Sequence, residues 1–86
     1  MTAAQALILE SMAGGQTLTH SLLGERLWSL LEDPFTVFDD VSPRVLLAAG
    51  LIALDQRGSV KADRADIYRL TMAGHAAVFN RRMQDR

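Results

Sequence analysis

The sequence predicts a single α+β domain, mainly helical, with a three-helix core, then a β-hairpin and a C-terminal helix. Three observations carry this expectation. Helix-forming runs are cut at Gly14-Gly15, Asp33-Pro34 and Gly50. Leu51-Ile52-Ala53-Leu54 and the alternating Asp66-Ile67-Tyr68-Arg69-Leu70 face each other across a turn at Arg57-Gly58-Ser59. Finally, 86 residues at 49% apolar content make one small core and leave no room for a second module.

The first helix is expected over residues 2–13. Leu7, Ile8, Leu9 and Met12 spread around most of it, and only Gln5, Glu10 and Ser11 are clearly polar. Such a helix is either central to the fold or shared with a second chain. Thr17 or Thr19 then caps a second helix over residues 19–31. Its apolar set is Leu23, Leu27, Leu30 and Leu31 with Trp28 beside them, Gly24 lies inside it, and Asp33-Pro34 ends it. Phe35-Thr36-Val37-Phe38 suits a strand or a helix start equally. Ser42-Pro43 reads as a capping serine with proline at the first helical position. The short helix it opens, residues 43–49, buries Val45, Leu46 and Ala49 and stops at a left-handed Gly50.

The hairpin is expected over residues 51–70, with a polar loop at 59–65. Thr71 caps the last helix, residues 71–84. Its apolar line, Met72, Ala76, Phe79 and Met83, steps 4, 3, 4 like a coiled-coil seam. Arg81, Arg82 and Arg86 sit where the helix dipole favours positive charge. No repeat or low-complexity linker interrupts the chain.

Composition narrows the function. No apolar run approaches the roughly 18–20 residues of a membrane-crossing helix, and the start, Met-Thr-Ala-Ala-Gln, lacks the features of a secretory signal. The absence of cysteine excludes disulfides, thiolate catalysis and cysteine zinc sites. A cytoplasmic protein is expected. The net charge of −1 conceals an asymmetry. Residues 1–50 set Arg26 and Arg44 against six carboxylates, whereas residues 51–86 set seven cations against Asp55, Asp63, Asp66 and Asp85. A basic second half suits a phosphate backbone or an acidic partner.

Catalytic constellations are missing. His20 and His75 fall on different expected helices, and neither has a ligand-type residue three or four positions away. There is no glycine-rich phosphate loop, nucleophile elbow or paired-carboxylate spacing, and the adjacent Asp39 and Asp40 point apart. No enzyme activity, metal or cofactor is expected.

Pro43-Arg-Val-Leu-Leu-Ala-Ala-Gly-Leu-Ile52, the charged hairpin, and Tyr68-Arg-Leu-Thr-Met-Ala-Gly-His-Ala-Ala77 together resemble winged helix-turn-helix domains of bacterial regulators of the MarR, PadR and ArsR groups. The motif match covers residues 43–77. The resemblance implies a three-helix core whose third helix enters the major groove, a β-wing on the backbone, and homodimers on palindromic double-stranded DNA. The function it implies is a small DNA-binding transcriptional regulator of bacterial or phage type. Mapped onto this chain, the recognition segment is residues 36–49 and the wing is residues 54–66. Thr36, Ser42 and Arg44 then lie nearest the bases, and Arg57, Lys61 and Arg64 meet phosphates. Asp39, Asp40 and Pro43 depart from that pattern, since two carboxylates repel phosphate and a proline shortens the helix.

The wide apolar surfaces of the terminal helices predict a dimer interface of Leu9, Met12, Met72, Ala76, Phe79 and Met83. The alternative function is a winged-helix scaffold that binds a protein instead of DNA, as an adaptor or inhibitor, through Phe38, Asp39 and Asp40. Trp28 and Phe35 read either as core or as anchors for such a partner.

Overall fold

The computed structural model describes residues 1–22 and 27–84. In chain order the elements are α1 (Ala3–Ala13), β1 (Leu18–His20), β2 (Trp28–Leu30), β3 (Asp33–Phe38), α2 (Val41–Ala48), β4 (Ile52–Ser59), a 3₁₀ turn (Val60–Ala62), β5 (Ala65–Leu70) and α3 (Met72–Gln84). Among the described residues the strands form one five-stranded antiparallel sheet in the order β3-β2-β1-β5-β4. No helix among them is long and apolar enough to cross a membrane.

The α+β class holds, but the chain is not mainly helical and has no three-helix core. The winged helix-turn-helix architecture fails at the expected helix over 19–31. Its described ends are strands instead, β1 paired with β2 through Leu18↔Leu30, Thr19↔Ser29 and His20↔Trp28. Residues 23–26, with Leu23 and Gly24, lie outside the described residues. The reason is burial. As strand residues Leu18, Trp28 and Leu30 all reach the core, while Leu27 and Leu31, which completed the helical stripe, remain exposed. Asp33-Pro34, expected as a helix stop, instead begins β3, where an edge strand tolerates proline.

The remaining elements fall close to expectation, except that α2 buries Ser42, Pro43 and Leu46 and leaves Val45 and Ala49 exposed. Residues 51–70 form the β4–β5 hairpin, with Ile52↔Leu70 and Leu54↔Tyr68 in register. Thr2 and Gln5 close a reciprocal capping box on α1. The Thr71 hydroxyl accepts the Gly74 N–H (3.0 Å) and donates to the Gly50 carbonyl (2.6 Å), which ties α3 to the end of α2. Gly50 is left-handed (φ +75°), as its role as a stop requires. α2 starts earlier than expected: its N-cap position is Asp40, which makes no side-chain cap bond, and the side chain of the preceding Asp39 rather than Ser42 satisfies the first N–H groups. The Asp39 carboxylate accepts the backbone N–H of Val41 (2.8 Å) and of Ser42 (2.6 Å) and the Ser42 hydroxyl (2.8 Å). Pro43 then sits in the first turn, where a missing N–H has no intrahelical partner to lose.

Cross-strand pairs share a face, so the register sorts the sheet residues into two sets. Leu18, Leu30 and Tyr68 form one row, Trp28 and Phe38 another, and Ile52 with Leu70 a third. All lie on the face that meets Ile8, Leu9 and Met12 of α1, Leu46 of α2 and Val78 of α3 in one core cluster. The α1 helix is therefore the central one, as its wide apolar surface allowed. His20, expected on a helix, is a buried strand residue whose ring stacks on Trp28 with centroids 3.9 Å apart. The opposite face carries Thr19, Ser29, Val37, Ile67, Ala53 and Arg69, none of which belongs to that cluster.

Candidate nucleic-acid interface

The hairpin carries Arg57 on β4, Lys61 in the 3₁₀ turn and Arg64 just before β5, and all three are exposed. Among the described residues the ion pairs are Arg44–Asp40, Arg69–Asp55 and Arg82–Glu10, so none of these hairpin cations has a carboxylate within ion-pair distance. The tip is a tightly specified turn. Gly58 is left-handed (φ +59°), and so are the non-glycine residues Asp63 (φ +52°) and Arg64 (φ +67°). Left-handed backbone is tolerable for aspartate and costly for arginine, so Arg64 is held there by its surroundings. The Arg64 N–H donates to the Ser59 carbonyl (2.7 Å), and the buried Asp66 carboxylate accepts the Gly58 N–H (2.9 Å).

Beneath the tip, on the second face of the sheet, lies an open groove of about 260 Å³. Thr19 and Ser29 line it from neighbouring strands, Lys61 and Asp63 from the turn, and Pro34 from β3. The Thr19 hydroxyl stands 3.2 Å from the Ser29 carbonyl and 3.3 Å from the Ser29 hydroxyl, a short polar ladder across β1 and β2. A second groove of about 280 Å³ lies past the end of β1, between Gln16, Thr17, Asp55, Arg69 and His75. Among the described residues no group of three or more His, Asp or Glu could hold a metal ion.

The residues expected nearest the bases are otherwise engaged. Ser42 is buried against Asp39, Thr36 donates its hydroxyl to Asp33, and Arg44 pairs with Asp40 at 3.1 Å on an exposed surface. They do not converge on one surface with the hairpin cations. The residues expected to meet a protein partner are likewise taken up by the fold. Phe38 belongs to the core cluster. The Asp39 side chain satisfies the first N–H groups of α2, and those hydrogen bonds, first of all from Ser42, hold its carboxyl below the ordinary 3.8. Asp40 accepts hydrogen bonds from the Arg44 guanidinium and the Trp28 indole (3.0 Å), which lower its pKa in that order of importance.

Of the expected interface residues, Leu9 (1% exposed) and Met12 (7%) lie inside the monomer's own core. Met72, Ala76, Phe79 and Met83 remain as an outward stripe on α3, because Gly74 and Val78 supply its inward face. Sequence reasoning missed Thr19 and Ser29, hidden inside an expected helix. It also left open Phe35, which is 95% exposed.

Comparison with family models, with curated proteins and with solved structures finds no match for the chain.

Proposed function

We propose that this chain is a small cytoplasmic DNA-binding protein of the regulator type that engages phosphates through its β4–β5 hairpin, without catalysis. The observation that carries the reading is the set of three exposed hairpin cations, Arg57, Lys61 and Arg64, with no carboxylate partner among the described residues. An exposed cation already paired within the chain gains little by moving to a phosphate, whereas an unpartnered one releases counterions when it does so. Base reading through α2 finds no support, since Ser42 and Arg44 are held by Asp39 and Asp40. The resemblance to winged-helix regulators now rests on residues 43–77 alone.

A salt titration of binding to a duplex tests this reading. Three phosphate contacts give a slope of log K against log salt of about −2.7 per protomer. Replacing Arg57, Lys61 and Arg64 together by alanine is expected to abolish the binding. Wild-type protein that binds no nucleic acid even at low salt would overturn the reading.

We also propose that the protein acts as a homodimer joined along the α3 stripe. Phe79 and Met83 are 62% and 50% exposed on a face whose spacing suits knobs-into-holes packing against an identical stripe. Phe79→Glu is expected to shift a dimer to monomer in sedimentation without unfolding it. Wild-type protein that sediments as a monomer at high micromolar concentration excludes this assembly. A protein partner is the second reading. It is supported by Val41 and Val45, one helical turn apart and exposed on α2. Under that reading Val45→Glu abolishes partner capture while the hairpin changes have no effect.

A further inference from the structure

We propose that the second face of the sheet is a track for single-stranded nucleic acid, running from the hairpin cations across Thr19 and Ser29 to a base stacked on Phe35. The proposal rests on the reading that the hairpin cations meet phosphates, and it names the form of nucleic acid they serve.

The first support is the geometry of β3. Its pairing with β2 runs Trp28↔Phe38 and Ser29↔Val37, then jumps to Leu30↔Asp33. Residues 34–36 therefore have no cross-strand partner and form a wide bulge at the sheet edge. The Thr36 hydroxyl donates to the Asp33 carboxylate and fastens that bulge from within. Phe35, at its centre, is 95% exposed, and Pro34 beside it forms part of the groove wall. Val37, which shares the face of Ser29 and Thr19, is half-exposed and extends an apolar margin toward the bulge. A phenylalanine on a fastened bulge offers a π-face to a base at little cost in ordering.

The second support is the groove. Its volume of about 260 Å³ is below the ~300–1,000 Å³ of sites that enclose a small molecule. It is open, and suits one unit of a polymer lying through it. On the floor the half-buried Ser29 hydroxyl can donate and accept, which suits sugar and phosphate oxygens without preference for a base, while Thr19 is buried with its hydroxyl against Ser29. Lys61 lines the wall, with Arg57 and Arg64 on the same hairpin. Asp63 in the same wall offsets Lys61, so the attraction for a polyanion comes from the exposed Arg57 and Arg64 of the same hairpin, outside the groove lining.

The third support decides between duplex and single strand. In a duplex the bases are stacked inside and cannot lie flat on a side chain, whereas a single strand can splay one base onto an aromatic ring. Phe35 has no use against duplex, and the described α2 surface offers no unengaged donor for groove reading.

The test is fluorescence anisotropy at low salt with a labelled oligo-dT of about ten nucleotides, within the ~4–16 of single-strand sites, and a duplex of equal length. The oligo-dT is expected to bind more tightly than the duplex, with a salt slope near −2 for three phosphates. Phe35→Ala should weaken oligo-dT binding about tenfold, leave the salt slope unchanged and leave duplex binding as it was. Phe35→Trp should restore it. Because Phe35 is solvent-exposed, these variants are expected to fold, and their thermal unfolding checks that. Equal binding of strand and duplex, or an effect of Phe35→Ala on neither, overturns the track and leaves the hairpin reading standing. Failure of both probes to bind overturns both.

Discussion

The two faces of the sheet are built from the same strands and have opposite chemistry. On the packed face Leu18, Trp28, Leu30, Ile52 and Tyr68 meet the helices in one cluster. The polar groups admitted there are held in place: Asp66 accepts the Gly58 N–H, and the His20 ring lies flat on Trp28. On the other face Thr19, Ser29, Ala53 and Arg69 alternate with those same residues, and Arg69 faces Asp55 at 4.0 Å. An antiparallel sheet allows this division because side chains alternate strictly along each strand. The strand β2 is only three residues long, so a single position separates buried Trp28 and Leu30 from half-buried Ser29, whereas all three residues of β1 are buried.

That contrast is broken most severely at Trp28. Trp28→Ala removes a nearly fully buried ring, its stack on His20 and the hydrogen bond to Asp40. The expected loss is about 3–5 kcal/mol, read as a lower midpoint in chemical denaturation. The neighbouring Ser29→Ala, on the other face, should stay within about 0.5 kcal/mol. Similar losses at the two positions would mean that Ser29 is as deeply packed as its buried second-face neighbours Thr19 and Ile67.

This division also explains which parts of the fold were legible in the sequence. The hairpin was legible because Asp66–Leu70 alternates over five residues, although Arg57-Gly58-Ser59, expected as the turn, belongs to β4 and the chain turns at residues 60–64. The caps at Gly14, Gly50 and Thr71 were legible because their chemistry is local. β1 and β2 were not, since three residues contain one alternation, and Leu27, Leu30 and Leu31 imitate a helical stripe at the same time. The partner that fixes β1 in the sheet is β5, forty-six to fifty residues away along the chain. The candidate site divides in the same way. Arg57, Lys61 and Arg64 were found because a hairpin tip is exposed whatever surrounds it. Ser42 and Thr36 were misplaced because their partners, Asp39 and Asp33, engage them only once the turn and the bulge have formed. The exposure of Phe35 follows from a register jump between β2 and β3 that no local pattern announces.

The seam between the packed face and α3 is the next most sensitive place. A Cβ at Gly74 would stand 2.1 Å from the Leu51 carbonyl and 2.7 Å from the Leu70 side chain. Gly74→Ala must therefore push α3 off the end of β4 and β5, at a cost of about 1–3 kcal/mol. Thermal unfolding measures that cost. An unchanged melting temperature would show that this seam is loose.

The pH dependence sharpens the same contrast. Asp39 and Asp40 have folded pKa values below the ordinary 3.8. The unfolded chain therefore binds protons first on acidification. Their contribution to stability is complete above about pH 3.8 and is lost as pH falls through the lower folded values. Tyr68, on the packed face, is shifted the other way, above 10.0, by burial and then by Asp66. Its contribution is complete below pH 10.0 and declines as pH rises through the raised folded value. Asp39→Asn should flatten the acid limb of a stability–pH profile and leave the alkaline limb unchanged. An acid limb that Asp39→Asn leaves untouched would show that the α2 cap contributes nothing to it.

The smallest expected effect is at the hairpin tip, where stability and binding pull in opposite directions. Arg64 has φ +67° with a full side chain. That conformation costs a non-glycine residue roughly 1–2 kcal/mol. Glycine relieves the cost but loses about 0.5–1 kcal/mol through its freer unfolded chain. Arg64→Gly should therefore stabilise the fold by about 0.5–1 kcal/mol. The same change removes a cation, so the duplex salt slope should become shallower by about 0.9. Asp63→Gly relieves a milder strain at φ +52°, because aspartate tolerates left-handed backbone, and it removes a repelling charge. It should strengthen binding while stabilising the fold less. The two variants together separate backbone relief from charge. If Arg64→Gly destabilised the fold, the tip would be unstrained. If it left the salt slope unchanged, Arg64 would make no phosphate contact, and the hairpin reading would rest on Arg57 and Lys61.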